Sequence, residues 1–227
     1  MEDYVKAIYE LQAEEGGPVG TSRIADHLEV TSPTVSKMVG KLEDRGLVER
    51  EKYTGVTLTA EGETVALEVL RHHRLLESYL TEHLDYEWTA VHEEADRLEH
   101  HISEEFERRV AAALDDPTVD PHGDPIPGEE LEPVEDDSTA LADHAAGAEL
   151  VVARVRDRDA AAMDFLADHG IEPGTRIEIR EVNPVGLYVV AVGDGEVKLP
   201  EDVVADIRVH EPDEDGTNGD RHEEVLP

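Results

Sequence analysis

The sequence predicts an α+β protein: an N-terminal winged helix-turn-helix, a helical middle that forms a hairpin or part of a dimer bundle, and a small C-terminal SH3-like β-barrel. Three observations predict it. Apolar residues recur at helical spacing as far as residue 42 and are followed by two short strand-like runs. Two long amphipathic patterns come next. Beyond Leu150 the apolar period changes from about 3.6 to two. The implied divisions are residues 1–61, 62–128, a linker over 129–146, 147–211 and an acidic tail over 212–227.

Tyr4, Val5, Ile8, Tyr9 and Leu11 mark the first helix, which Gly16 and Gly17 end. Thr21 precedes a second short run, Ile24, Ala25 and Leu28. Ser32 is placed to cap a third helix over 33–45, with Pro33 at its first position, where a missing N–H costs nothing. Val35, Met38, Val39 and Leu42 give that helix its apolar face, and Gly46 supplies a left-handed stop. Residues 47–50 and 56–59 pair as strands around Tyr53, Thr54 and Gly55. Helix, helix, turn, helix and a two-stranded wing is the order of a winged helix-turn-helix.

Residues 63–84 and 89–114 read as two long amphipathic helices separated by a short segment at 85–88. Residues 115–127 contain four prolines and must be irregular, and 129–145 are acidic and Ala-rich, a linker composition. The barrel strands are expected at 151–155, 176–182, 187–192 and 203–209, with a short helix over 160–169.

There are 56 Asp plus Glu against 20 Lys plus Arg, a formal charge of -36, far beyond what solubility requires. The acids are interleaved with regular apolar periodicity, so the reading is a folded protein with the acidic surface of a salt-loving organism, hydrated in concentrated salt. With no cysteine, disulfides and thiolate metal sites are excluded, which leaves His and carboxylate as metal ligands. No run of about 18 apolar residues occurs, and the chain opens on a helical pattern, so a cytoplasmic protein without membrane span or signal peptide is expected.

Charge is uneven along the chain. From Thr31 to Ala60 five basic residues (Lys37, Lys41, Arg45, Arg50, Lys52) face four acidic ones, a net of +1 in a very negative background. A phosphate-facing surface needs that local relief. The third helix would present Thr31, Ser32, Pro33 and Lys37 toward base edges. Thr21, Ser22, Arg23 and Ser36 would reach phosphates, with Arg50 and Lys52 in the wing. The competing reading is a winged helix used only for protein contacts.

His92, Asp96, Glu99 and His100 stand at i, i+4, i+7 and i+8, on one face of a helix, and His73 and Glu77 form an i, i+4 pair on the preceding helix. Two His and two carboxylates on a buried face are costly unless a cation neutralises them, which points to a divalent metal. A solvated acidic helix is the alternative on spacing alone.

The stretches EDYVKAIYEL, SPTVSKMVGKLEDRGLV, LRHHRLLESYL, VHEEADRLEHHISEEFERRV and DPHGDPIPG, in this order, resemble the diphtheria toxin repressor family (DtxR, MntR and SirR types) of metal-dependent repressors over nearly the whole chain. The terminal domain is similar to the ferrous iron transport FeoA proteins. The resemblance implies a DNA-binding head, a helical dimerisation domain and two metal sites. The primary site would use Asp3, Asp96, Glu99 and His100, so that metal ties the head to the dimer helices. The ancillary site would use His73, Glu77 and His92, with Asp159 of the barrel as a further candidate ligand. His72 and His101 are out of phase with these faces, and His122 and His144 are assigned to packing or solubility.

Iron-type members carry Met and Cys where this chain has Asp3 and Asp96. The primary donors here are therefore oxygen plus one imidazole, suited to Mn(II), with Fe(II) the alternative. Manganese-type members carry a second carboxylate on helix one where this chain has Lys6, so their paired-metal arrangement is not expected. The resemblance further implies a homodimer on a palindromic double-stranded DNA operator, control of metal-uptake genes, and neither a membrane nor a small-molecule substrate as partner. No nucleophile motif or phosphate loop supports an enzyme. A metal-dependent hydrolase and a metal-storage or delivery protein are the readings of other classes.

Overall fold

Helix α1 spans Glu2–Glu15 because Tyr4, Val5, Ile8 and Leu11 fall on one face and are buried, and Gly16, at φ 72°, takes the left-handed turn that ends it. The computed structural model describes residues 1–51, 54–133, 136–156 and 160–212. Two units divide the chain, Met1–Asp136 and Asp137–Pro227, each with its own packing.

In the first unit, α1 packs with α2 (Thr21–His27) and α3 (Ser32–Glu43) around Val5, Ile8, Leu11, Ile24, Val35, Val39 and Leu42. Strands β1 (Val48–Glu51) and β2 (Gly55–Leu58) close this core with Val48 and Val56, pairing antiparallel from Val48↔Leu58 to Glu51↔Gly55. The third helix starts one residue earlier than the sequence indicates. Thr31, in extended conformation, is its N-cap residue, Ser32 and Pro33 sit in its first turn, and it ends at Glu43. The wing strands each differ by one residue from the expected positions. Val19 exchanges two backbone hydrogen bonds with Val56, both 2.9 Å, and this close approach explains Gly55: a Cβ there would lie 2.7 Å from the Val19 carbonyl oxygen.

Helix α4 (Ala60–Leu84) begins against the same head. Thr59 caps it, its Oγ1 accepting from Gly62 N at 3.1 Å while donating to the Gly46 carbonyl at 2.7 Å. Only glycine fits at 62, because a Cβ would come within 1.9 Å of the Leu47 carbonyl oxygen. Asp85, at φ 57°, ends the helix.

The helix expected over 89–114 is two helices, α5 (His92–Leu98) and α6 (Glu104–Ala113). Ser103 supplies the break: its Oγ accepts from Phe106 N at 3.3 Å, and Glu104, Glu105 and Glu107 crowd the first turn, where acids favour a new helix start. Residues 115–127 are irregular as expected, yet fixed. Asp120 Oδ1 accepts from the backbone N–H groups of His122 and Asp124, both at 2.8 Å. From α4, Arg74 donates to the Pro125 carbonyl and Arg71 to that of Pro127, each at 2.6 Å.

The second unit is an antiparallel sheet ordered β3-β8-β4-β5-β6-β7. Its strands are β3 (Thr139–Ala140), β4 (Glu149–Val155), β5 (Arg176–Val182), β6 (Leu187–Val192), β7 (Gly195–Pro200) and β8 (Ile207–His210), with helices α7 (Ala160–Asp168) and α8 (Glu201–Ala205). Strand β3 falls inside the segment read as linker. The strand expected over 203–209 is half helix: Pro200 precedes α8, Glu201 and Asp202 fill its first turn, and β8 starts only at Ile207. Strand β7, not foreseen, follows β6 through the two-residue turn at Gly193 and Asp194, with Val192↔Gly195 in register. Among the described residues no helix is long and apolar enough to cross a membrane.

Candidate metal centre and nucleic-acid interface

The candidate metal centre lies where α1, α4 and α5 meet. Asp3 in the first turn of α1 reaches His100, just past the end of α5: Asp3 Oδ1 lies 2.6 Å from His100 Nε2, and Glu2 Oε2 lies 2.7 Å from Nδ1 of the same ring. Glu99 Oε1 is 3.4 Å from His100 Nε2. Asp3, Glu99 and His100 thus present ligand atoms within 4.8 Å of one another. Asp96 stands on the other side of Glu99, with its Oδ1 3.3 Å from His73 Nδ1 and its Oδ2 3.4 Å from His92 Nε2, and it groups with His73 and Glu99 rather than with Asp3.

His73, Glu77 and His92 come together as a second group: His73 Nε2 is 2.9 Å from Glu77 Oε1 and 3.0 Å from His92 Nδ1, which is itself 3.2 Å from Glu77 Oε1. Glu99 Oε2, 2.6 Å from His73 Nδ1, joins the two groups. Asp159 lies outside the described residues.

Glu77 and Glu99 are 1% and 3% exposed, and His73 is 4% exposed. Carboxylates buried this deeply stay ionised only beside cations. The donor set is oxygen and imidazole throughout, which fits a divalent ion of the hard or borderline kind. One cation is intrinsic: the Lys6 ammonium donates to Asp96 Oδ1 at 3.1 Å and Glu99 Oε2 at 2.9 Å.

The titration behaviour follows from these contacts. Burial and the Lys6 charge would lower His73, but the Glu77 charge and the hydrogen bonds that the ring donates to Glu77 and Glu99 outweigh them, and the ring is pushed up to about 9. Burial would raise Glu77, yet the His73 charge and hydrogen bonds from His122, His73 and His92 hold it well below the usual carboxylate range. Asp96 is lowered against its burial by Lys6, His92 and His73. Lys6 is raised: burial disfavours its charge, and Glu99, Glu10 and Asp96 reverse that.

For chelator-treated protein this sets a direction with pH. A His whose folded pKa is raised contributes stability fully present below about pH 6.5 and lost as pH rises through about 9. Urea melts in EDTA should therefore show stability falling between pH 6.5 and 9, by on the order of 3 kcal/mol. His73→Gln should flatten that slope; a stability that climbs over this interval in the wild type contradicts the assignment.

A third group was not foreseen. Asp120 and His122, both buried, join Glu77, with His122 Nδ1 3.5 Å from Glu77 Oε2. His122 Nε2 is 2.7 Å from the Trp88 carbonyl oxygen. A carbonyl only accepts, so Nε2 carries a hydrogen, and Nδ1 is the ring atom turned toward Glu77: protonated it donates to that carboxylate, and unprotonated it offers a lone pair to a cation. Burial and the charges of Asp124 and Glu77 raise Asp120 well above its ordinary range. The sequence signal was Asp-x-His within DPHGDPIPG, a loop that helical periodicity does not reach.

The residues expected to contact DNA lie on α2, α3 and the wing. Thr31, Ser32, Pro33 and Lys37 are exposed at and beyond the start of α3, Ser36 is half-buried, and the first turn of α3 carries no acid. Thr34 was missed; it is exposed beside Thr31, their Oγ1 atoms 2.9 Å apart. Thr21, Ser22 and Arg50 line one cleft between the start of α2 and the wing. Arg23 is exposed but donates to Glu15 at 2.7 Å, so part of its charge is spent within the protein. Lys52 lies outside the described residues.

Comparison with known proteins covers the whole arrangement. Residues 1–56 match the family described as "Iron dependent repressor, N-terminal DNA binding domain", 59–128 the "Iron dependent repressor, metal binding and dimerisation domain", and 139–211 the FeoA domain. The chain is 35% identical to the iron-dependent repressor IdeR of Mycobacterium tuberculosis (strain ATCC 25618 / H37Rv) over 220 residues, 92% of this chain and 95% of the relative. It is also 35% identical to the diphtheria toxin repressor of Corynebacterium diphtheriae, covering 92% and 96%. Among solved structures, a manganese-dependent transcriptional repressor in complex with manganese superposes with a TM-score of 0.88 at 33% identity, covering 93% of this chain and 99% of that one. ScaR with bound Zn2+ superposes at 0.81 with 30% identity, covering 93% and 99%.

Proposed function

Since the chain belongs to the iron-dependent, or diphtheria toxin, repressor family of metal-dependent DNA-binding transcriptional repressors, we propose that it senses Mn(II) through Asp3, Asp96, Glu99 and His100 and, as a homodimer, represses metal-uptake genes from palindromic operators. The observation that carries this reading is the 2.6 Å approach of Asp3 to His100. Asp3 belongs to the helix whose other residues form the core of the DNA-reading head, whereas His100 and Glu99 follow α5. A divalent ion held there supplies positive charge that draws these acids and the imidazole together across the junction. Asp3 then fixes α1, α1 fixes α3 through the shared core, and the two recognition helices of a dimer keep the spacing that a two-fold operator needs.

His73, Glu77 and His92 form the ancillary site, with Asp159 as a candidate further ligand and Asp120 and His122 adjoining it through Glu77. Mn(II) is preferred because Asp3 and Asp96 are oxygen donors at positions where sulfur would favour softer ions. The second reading is Fe(II), which oxygen sites also accept and which the name of the mycobacterial relative favours. The protein acts in the cytoplasm.

Fluorescence anisotropy on DNA from the protein's own upstream region, with Mn(II), anaerobic Fe(II) or EDTA, tests the proposal. Binding should require metal and tighten most with Mn(II). Affinity that is the same in EDTA and in both metals overturns it. Phosphatase and esterase assays with Mn(II) separate the hydrolase alternative.

A further inference from the structure

Lys6 stands one turn after Asp3 on α1, so both side chains leave the same face of the helix. Asp3 meets His100, whereas the Lys6 ammonium lies among His73, Asp96 and Glu99, 3.1 Å from Asp96 Oδ1, 2.9 Å from Glu99 Oε2 and 3.0 Å from His73 Nδ1. An ammonium has three N–H donors and no acceptor; two of them go to Asp96 and Glu99, and the His73 ring closes the third side, so the ammonium stands where a separate metal ion would sit. Lysine is seldom buried without a partner, yet Lys6 is 9% exposed. The ligand atoms of His73, Asp96 and Glu99 lie within 4.8 Å of one another, a spacing that a single cation spans.

We infer that Lys6 is a tethered cation built into the metal centre: it occupies the position among His73, Asp96 and Glu99, so that no separate divalent ion sits there in addition to those of the primary and ancillary sites, and it ties α1 to α4 and α5 by a contact no chelator removes. This rests on the metal-centre reading above. The ammonium brings one charge at fixed stoichiometry, and it leaves only when the side chain is replaced. Helix α1 is therefore already linked to α5 without metal at the Asp3 site, so metal strengthens an existing connection. Lys6 in this way sets both how many ions the protein takes and how far its head moves without them.

The test is a metal count. Full-length protein is stripped with EDTA, equilibrated against Mn(II) by dialysis, and manganese per protomer is measured by mass spectrometry. Lys6→Met, close in length but neutral, should take up one ion per protomer more than the wild type, and Lys6→Arg should keep the wild-type count. Melting of Lys6→Met in EDTA should fall by about 5 °C relative to the wild type, and added Mn(II) should recover it. Lys6→Gln, which keeps a hydrogen-bonding head without charge, carries the count if Lys6→Met does not fold. A wild type that takes up Mn(II), with neutral variants that take up no more, overturns the tethered cation and leaves the metal-centre reading standing. No uptake by any of the proteins overturns both.

Discussion

Asp3→Ala is expected to bind operator with the same affinity in Mn(II) and in EDTA, while its fold and melting temperature in EDTA stay close to the wild type. The Asp3 side chain is 54% exposed and its contact with His100 is a surface ion pair, worth about 0–1 kcal/mol to the fold. Its functional weight is of another kind. Asp3 is the α1 acid that groups with Glu99 and His100, whereas Glu2 touches only the other nitrogen of the His100 ring, and a ligand shifts a conformational equilibrium only by its differential affinity for the two states. Without Asp3 the ion still has Asp96, Glu99 and His100 but no longer distinguishes one head position from another. A metal response of roughly 5–150-fold, the usual span of such coupling, should collapse to near one. Anisotropy titrations of the variant with and without Mn(II) read this directly. A strictly manganese-dependent Asp3→Ala contradicts the clamp.

Glu99→Gln is expected to produce the largest combined loss. Glu99 is the residue common to both ligand groups: Oε1 faces His100, and Oε2 accepts from Lys6 while facing His73. Removing its charge takes a ligand from the primary site and leaves Lys6 and His73 with one buried carboxylate fewer. Breaking a buried pair in this way costs about 3 kcal/mol, against 1 kcal/mol or less, on the order of a surface pair, for the exposed contact between Glu94 and Arg97. Denaturant melts of Glu99→Gln and Glu94→Gln should show that contrast, and Glu99→Gln should also weaken Mn(II) binding by about 100-fold. Equal effects of the two substitutions would mean that the buried cluster is not what holds α5 against α1 and α4.

The winged head was legible because each of its signals is local: apolar spacing on α1 and α3, Pro33 near a helix start, glycines at turns. The candidate ligand residues were legible in part by spacing: the i, i+4 pairs His73 and Glu77 on α4 and His92 and Asp96 on α5 persist, but the single face expected from His92 to His100 does not, and Asp3 came from the resemblance alone. Periodicity could not show that α5 ends at Leu98. The apolar pattern continues through residues 99–103, and only the Ser103 cap and the glutamates after it signal a restart. That break matters, because it puts Glu99 and His100 on the turn beyond α5, with His100 against α1 and Asp96 on the side of His73 and Lys6. Asp120 and His122 escaped for the opposite reason. Their loop has no repeat to read and is held by tertiary contacts with Arg71 and Arg74, so its burial depends on another element. In the barrel, alternation at Val203 and Val209 hid a five-residue helix started by Pro200 and two acids.

Anomalous diffraction from a crystal grown with Mn(II), collected above the manganese edge, locates the ion without reference to any assumed ligand. The account predicts a peak at coordination distance from Asp3, Glu99 and His100, with Asp96 turned toward it. A peak that bridges only α4 and α5 residues, with Asp3 beyond reach, would contradict it.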